Sequence, residues 1–372
     1  MRFVIPSTLL SSRLQSIGKV IVSKNTIPIL DNFLFEINNG LLTLTASDSE
    51  TTIRTSVELI EYNNDCKFTL DARMIQDALK EIPEQPLEFV VDETTHEITI
   101  RYQNGQYNII SEFADDYPEF QSLPEECDKI TIPSNLLWSG INRALFATAS
   151  DDLRPVMNGV FFDIQEKLTI VASDGHKLVC STFSKVQNSH HSSFILPKKP
   201  ALILRNVLTK DTDETIITYT DRNAEIRTTD YIITCRLTEG RYPNYSSVIP
   251  QDNPNCAVIN RSALISALRR VLVFATKTSL TKLSFSAHEL QISSQDIEFS
   301  KSAEEHIFCD YSGIPMSIGF KGAFLLELIN IIEGDDLVIK LADASRAGII
   351  TPAVDTEEES VLMLLMPMML NE

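Results

Sequence analysis

Apolar residues return every three or four positions in short blocks, and the blocks are separated by stretches of strict alternation. Leu10, Leu14, Ile17 and Ile21 fall on one helical face, with Ser12, Gln15, Ser16, Lys19 and Ser23 opposite. Leu264, Leu268, Val271 and Ala275 repeat that stripe against Ser266, Arg270 and Lys277. The spacing predicts helices over 7–24, 72–82, 134–150, 198–210, 261–277 and 321–332. Between them, segments such as L-T-L-T-A-S-D-S-E (42–50), L-T-I-V-A-S-D-G-H (168–176) and L-Q-I-S-S-Q-D-I-E (290–298) alternate as strands. The S-D-G step is a turn, and Asn104-Gly105 joins a hairpin between Glu97–Tyr102 and residues 106–111.

The blocks are written three times. I-P-S-T-L-L-S-S-R-L at 5–14 returns as I-P-S-N-L-L-W-S-G-I at 132–141, and one further step reaches Ile259, Leu264, Ser266 and Leu268. A period of about 127 residues is too long for a solenoid unit and suits a domain. The expected architecture is α+β: three tandem copies of one domain, at 1–126, 127–253 and 254–372, each mainly antiparallel sheet with two helices. Tyr117-Pro118 and Tyr242-Pro243, each followed by Pro124 or Pro250, mark the ends of the first two copies.

Charge changes the picture next. The chain of 372 residues has 51 acidic and 32 basic residues and a net charge of −19, which by itself argues against a polyanionic partner. The average hides a partition. About half of the basic residues fall in the six predicted helices, and almost none of the acidic ones do. Arg13, Lys19 and Lys24 in the first helix, Arg143 in the third, Lys198, Lys199, Arg205 and Lys210 in the fourth, and Arg261, Arg269, Arg270 and Lys277 in the fifth meet no acid on their own helix. Helix propensity does not account for this, because Glu is as good a helix former as Lys. The reading that does is a basic surface built from helices, facing phosphates, on an acidic body.

Catalytic chemistry finds little support. The six cysteines are scattered without C-x-x-C spacing and read as reduced thiols. No apolar run approaches a membrane span, and the first residues do not form a signal peptide. Asp115 with Asp116, Asp151 with Asp152, and Asp335 with Asp336 are the acid pairs that invite a metal-dependent hydrolase or nuclease. Neighbouring strand residues point to opposite faces, so such pairs are poor joint ligands. No phosphate-cradling glycine loop, H-E-x-x-H or nucleophile elbow accompanies them. A monomeric three-domain protein scaffold remains a further alternative at this point.

The strings T-I-P-I-L (26–30), A-S-D-G-H-K-L (172–178), G-R-Y-P-N-Y (240–245) and L-M-P-M-M-L (365–370), in that order on a triplicated chain, resemble the bacterial β sliding clamps, the β subunits of DNA polymerase III. The resemblance spans the whole chain. It implies a head-to-tail dimer closed into a six-domain ring, sheets outside and helices lining the hole. It implies duplex DNA held without sequence readout, no catalysis, no cofactor and no metal, and a cytoplasmic setting. The implied partners are the polymerase III catalytic subunit, clamp-loader subunits and other proteins carrying a clamp-binding peptide.

The same resemblance implies the site residues. Lys24 and Arg73 match the family's DNA contacts, and the helix charges add Arg143, Lys198, Lys199, Arg205, Arg269, Arg270 and Lys277. The partner-peptide groove maps onto Met157, Ser173, Gly175, His176, Lys177, Leu178, Pro243, Val248, Leu364, Met366, Pro367 and Met368. Methionines, leucines and proline suit leucine- and phenylalanine-type anchors. Met369 and Ser247 stand where the family usually has basic residues, and Asn371 and Glu372 extend past the usual terminal leucine, so the groove is expected to be more apolar than usual. Tyr107 on one side and Val273 with Phe274 on the other are expected to close the ring.

Overall fold

The computed structural model describes residues 1–22, 25–118, 123–124, 126–151, 153–186, 191–208, 213–276, 279–296 and 300–370. Among the described residues, the six expected helices are α1 (Ser7–Ile17), α2 (Ala72–Lys80), α3 (Ser134–Ala147), α4 (Lys198–Val207), α5 (Arg261–Leu272) and α6 (Gly322–Ile331). All are shorter than the apolar stripe suggests. α1 buries Leu10, Leu14 and Ile17, then tightens into a 3-10 turn at Gly18–Val20, where glycine ends the favourable helical run. Asp71 and Asn260 cap α2 and α5, their side-chain oxygens accepting the amides of Met74 at 2.6 Å and Ala263 at 3.1 Å.

The repeated I-P-S has a structural reason. Ser7 is buried at the start of α1, where its hydroxyl donates to the Pro83 carbonyl at 2.9 Å and accepts the Gln85 amide at 3.1 Å. Ser134 sits at the start of α3 with its hydroxyl 2.7 Å from that of Thr215. In both copies a serine ties the first helix to the segment after the second. Copy three uses Arg261 instead, whose guanidinium donates to the carbonyls of Ile329 and Asn330 at the end of α6, both at 3.0 Å.

The chain forms two compact units, Met1–Trp138 with Lys199–Leu237 and Ser139–Lys198 with Thr238–Glu372. The middle copy is thus divided between them. In the first unit an eight-stranded antiparallel sheet joins copies one and two, because Tyr231–Arg236 pairs with Thr51–Glu58 in the register Ile233 to Ile53. A five-stranded sheet accompanies it and ends at Gly105–Ile110. In the second unit a nine-stranded sheet joins copies two and three where Lys177–Phe183 pairs with Glu359–Leu365, Lys177 opposite Leu365. A four-stranded sheet ends at Lys301–Phe308. The helices lay their apolar stripes on these sheets. Stacked phenylalanines fill part of the first core, Phe3 on Phe89 at 4.7 Å and Phe35 on Phe68 at 4.8 Å.

Candidate nucleic-acid interface and peptide groove

Helix charges come first, because their partners decide what each can offer a phosphate. Arg73 on α2 and Arg269 on α5 are exposed, and Lys198 and Arg205 on α4 are half-buried. Lys24 and Lys277 lie outside the described residues. Three of the expected contacts are altered by their surroundings. Arg143 is only 3% exposed, and its guanidinium donates to the two Glu359 oxygens at 3.0 and 2.6 Å. It is an internal ion pair and is removed from the phosphate-facing set. Lys199 is bonded to Asp48 and donates to the Val20 carbonyl at 2.6 Å. Arg270 makes a bidentate pair with Glu305, both bonds at 2.8 Å. These two keep exposed surface, but a neighbouring carboxylate offsets their charge. Sequence periodicity places a residue on a helix face and is silent about an acid brought in from another strand.

In the second unit, the turn between Leu168–Ser173 and Lys177–Phe183 stands beside the C-terminal strand. Asp174 Oδ1 accepts the amides of His176 and Lys177, both at 2.9 Å, and the Ser173 hydroxyl donates to the Lys177 carbonyl at 2.8 Å. Gly175 takes φ +89°, where a side chain is disfavoured. Copy one builds the same turn around Asp48, but with Ser49 at φ +79°. The His176 carbonyl accepts the Met366 amide at 2.8 Å, which ties the turn to the C-terminal segment.

Beneath them is an apolar floor. Val171, Leu178, Cys180, Ile195, Tyr242, Ala347 and Leu364 are buried together, with Val156, Phe161, Tyr245 and Ile249 packed against them. The rings of Phe161 and Tyr242 stack at 4.6 Å and 4°. The Tyr242 hydroxyl accepts the Ser173 amide at 2.9 Å, and the Tyr245 hydroxyl donates to Asp163 at 2.7 Å. Burial raises both phenols well above their ordinary range, and Asp163 adds to the rise at Tyr245, so both remain neutral. Burial likewise pushes the Cys180 thiol up to about 12, which makes it packing and not a nucleophile.

Among the expected groove residues, Leu178 and Leu364 belong to this floor, Ser173, Gly175 and His176 form the flanking turn, and Pro243, Val248 and Met366 are exposed. Met157 is buried in the Pro155–Met157 turn, and its neighbour Val156 reaches the cluster instead. Met368 is tied to Gly319 by a backbone bond of 2.8 Å. Lys177 is buried. Tyr242 and Tyr245 belong to the Y-P-N-Y string that the sequence offers, whereas Phe161 and Ala347 carry no signal there.

Two sheets finish in an outer strand that carries apolar surface. Gly105–Ile110 holds Tyr107 half-buried against Tyr102, with Ile110 and Phe113 exposed. Lys301–Phe308 carries exposed Phe308, and past the end of α5 Val273 is 76% exposed and Phe274 41%. Ile110, Phe113 and Phe308 are exposed as well, and single exposed apolars in alternating strands carry no sequence signal for this.

Three family models cover the chain in order: the DNA polymerase III beta subunit N-terminal domain over residues 1–121, its central domain over 131–244 and its C-terminal domain over 246–369. A curated beta sliding clamp of Pseudomonas putida is 27% identical over 367 residues, covering 98% of this chain and 99% of its own. That of Escherichia coli K12 is 26% identical and covers all of both chains. Crystal structures of a DnaN sliding clamp from Pseudomonas aeruginosa bound to griselimycin and of the sliding clamp from Bacillus subtilis each superpose with a TM-score of 0.92 at 25% identity, over 100% of both chains.

Proposed function

The chain belongs to the DNA polymerase III beta subunit family and is a DNA sliding clamp, and we propose that it acts as a homodimeric ring without catalysis of its own. The observation that carries this is the match of all three family domains, in order, across almost the whole chain. A clamp encircles duplex DNA and tethers the replicative polymerase, so processivity comes from topology and not from tight contact. That requires a weakly attractive lining, and Arg73, Lys198, Arg205 and Arg269, with Lys24 and Lys277, supply phosphate contacts that carry no sequence information. The acidic remainder of the chain discourages DNA from binding elsewhere.

Ring closure is read from the two outer strands. Sheet edges with exposed apolar residues invite a partner strand. Gly105–Ile110 of one copy pairs with Lys301–Phe308 of the other, while Val273, Phe274 and Phe308 meet Tyr107, Ile110 and Phe113. The three domains in this reading are residues 1–126, 127–253 and 254–372. The groove of the second unit takes short peptides of the polymerase, the clamp loader and other partners, their leucine and phenylalanine anchors entering the floor built on Tyr242, Leu178 and Leu364. The setting is the cytoplasm, and no cofactor is needed.

The test is retention. Loaded onto nicked circular DNA by its clamp loader, the protein stays bound through gel filtration and is lost when the circle is cut once. Equal retention on circular and linear DNA overturns the ring reading.

A further inference from the structure

We propose that Lys177 is a positioning residue of the peptide groove: its ammonium, held between two aromatic rings, fixes the 173–177 turn, and the side chain does not itself contact the peptide. This rests on the groove reading above. The Lys177 side chain is 8% exposed, and its Nζ lies 4.2 Å from the ring centroids of both Phe146 on α3 and Phe324 on α6. Asp174 Oδ2 stands 3.6 Å away. A cation between two aromatic faces is attracted by both, more strongly for being out of water.

The backbone of the same residue closes the turn. Its amide donates to Asp174 and its carbonyl accepts from Ser173. One residue earlier, His176 holds Met366. The head group therefore anchors, through one residue, the two exposed walls of the groove to helices α3 and α6. A lysine that offered charge to a peptide would need its head in solvent, and this one is enclosed. Burial lowers its pKa from the ordinary lysine value, against the opposing pull of Asp174 and Glu327.

The experiment measures binding of two synthetic hexapeptides with the same leucine and phenylalanine anchors, one with an added acidic residue and one neutral, to the full-length protein. Lys177→Met weakens both by about tenfold and equally, and Lys177→Arg, which keeps the cation, restores both to within about threefold. Phe324→Leu, which removes one of the two rings and also frees Lys321, 4.0 Å above the same ring, weakens both peptides by less than Lys177→Met, and the double variant is no worse than Lys177→Met alone. Selective loss of the acidic peptide, or additive losses in the double variant, overturns the proposal. Phe146→Leu, which trims a single ring, stands in if Lys177→Met does not fold. Should the unaltered protein bind neither peptide, the groove reading fails, and the anchor is read from amide exchange instead. Lys177→Met then speeds exchange at Gly175, His176 and Lys177 without changing strand Glu289–Asp296, and unchanged exchange in the turn overturns the proposal.

Discussion

The Arg143 guanidinium grips the Glu359 carboxylate through two hydrogen bonds, 3.0 Å to Oε1 and 2.6 Å to Oε2, with both side chains buried. Ser139, one helical turn before Arg143, adds its hydroxyl at 3.4 Å. Removing Arg143 leaves the Glu359 carboxyl buried without its two donors, and removing Glu359 leaves a buried guanidinium unpaired. Arg143→Met is therefore expected to destabilise the protein by about 3 kcal/mol, and Arg143→Met with Glu359→Met to recover most of that loss. Chemical denaturation of the single and double variants checks both figures.

The same pair gives the stability a pH dependence. Burial raises the Glu359 carboxyl from 4.5 to about 7, only partly opposed by Arg143. A folded pKa above the unfolded one means that folding favours the protonated form. Stability is then greatest below pH 4.5 for this group and declines as pH rises through about 7, by up to about 3 kcal/mol. Glu359→Gln should flatten that slope in denaturation curves taken between pH 5 and pH 8; an unchanged slope assigns it elsewhere.

On the exposed face of the edge strand, His306 bridges Glu289 at 2.9 Å and Glu304 at 2.8 Å. Those carboxylates raise its pKa, the Glu304 bond most. A raised histidine pKa favours the folded, paired arrangement at low pH and loses that contribution as pH rises through the folded value. Deprotonation leaves Glu289 and Glu304 as uncompensated neighbours on the edge proposed to close the ring. Sedimentation should show dimerisation a few-fold weaker at pH 9 than at pH 6 in low salt, and His306→Gln should remove the difference.

Ring closure predicts a mass of twice 41.7 kDa by light scattering. Val273→Asp with Phe274→Asp, both on exposed surface, should give a monomer with an unchanged melting temperature. A dimer that survives this change closes through another surface.

For DNA, Arg73→Ala with Arg269→Ala should lower the slope of log affinity against log salt by about 2, one unit for each phosphate no longer neutralised. Arg143→Met, whose charge is already matched by Glu359, should leave that slope unchanged. Filter binding at several salt concentrations distinguishes the two.

The triplicated plan, the six helices and the strands between them are legible in the sequence, because they rest on local periodicity. Leu10, Leu14 and Ile17 lie on one face whatever the rest of the chain does. The turn at Asp174 and the Y-P-N-Y string are legible too, since turn chemistry is written within a few residues. The fate of each charge and the parentage of each sheet are not. Arg143 and Ser16 occupy the same place in their copies, yet only Arg143 finds a glutamate 216 residues away. Lys177 reads as a charge beside a groove until Phe146 and Phe324 enclose it. The middle copy is one unit in the repeat and two halves in the fold, since its strands complete sheets begun by the copies on either side. Burial and ion pairing depend on residues remote in the chain, and it takes the folded arrangement to bring those together.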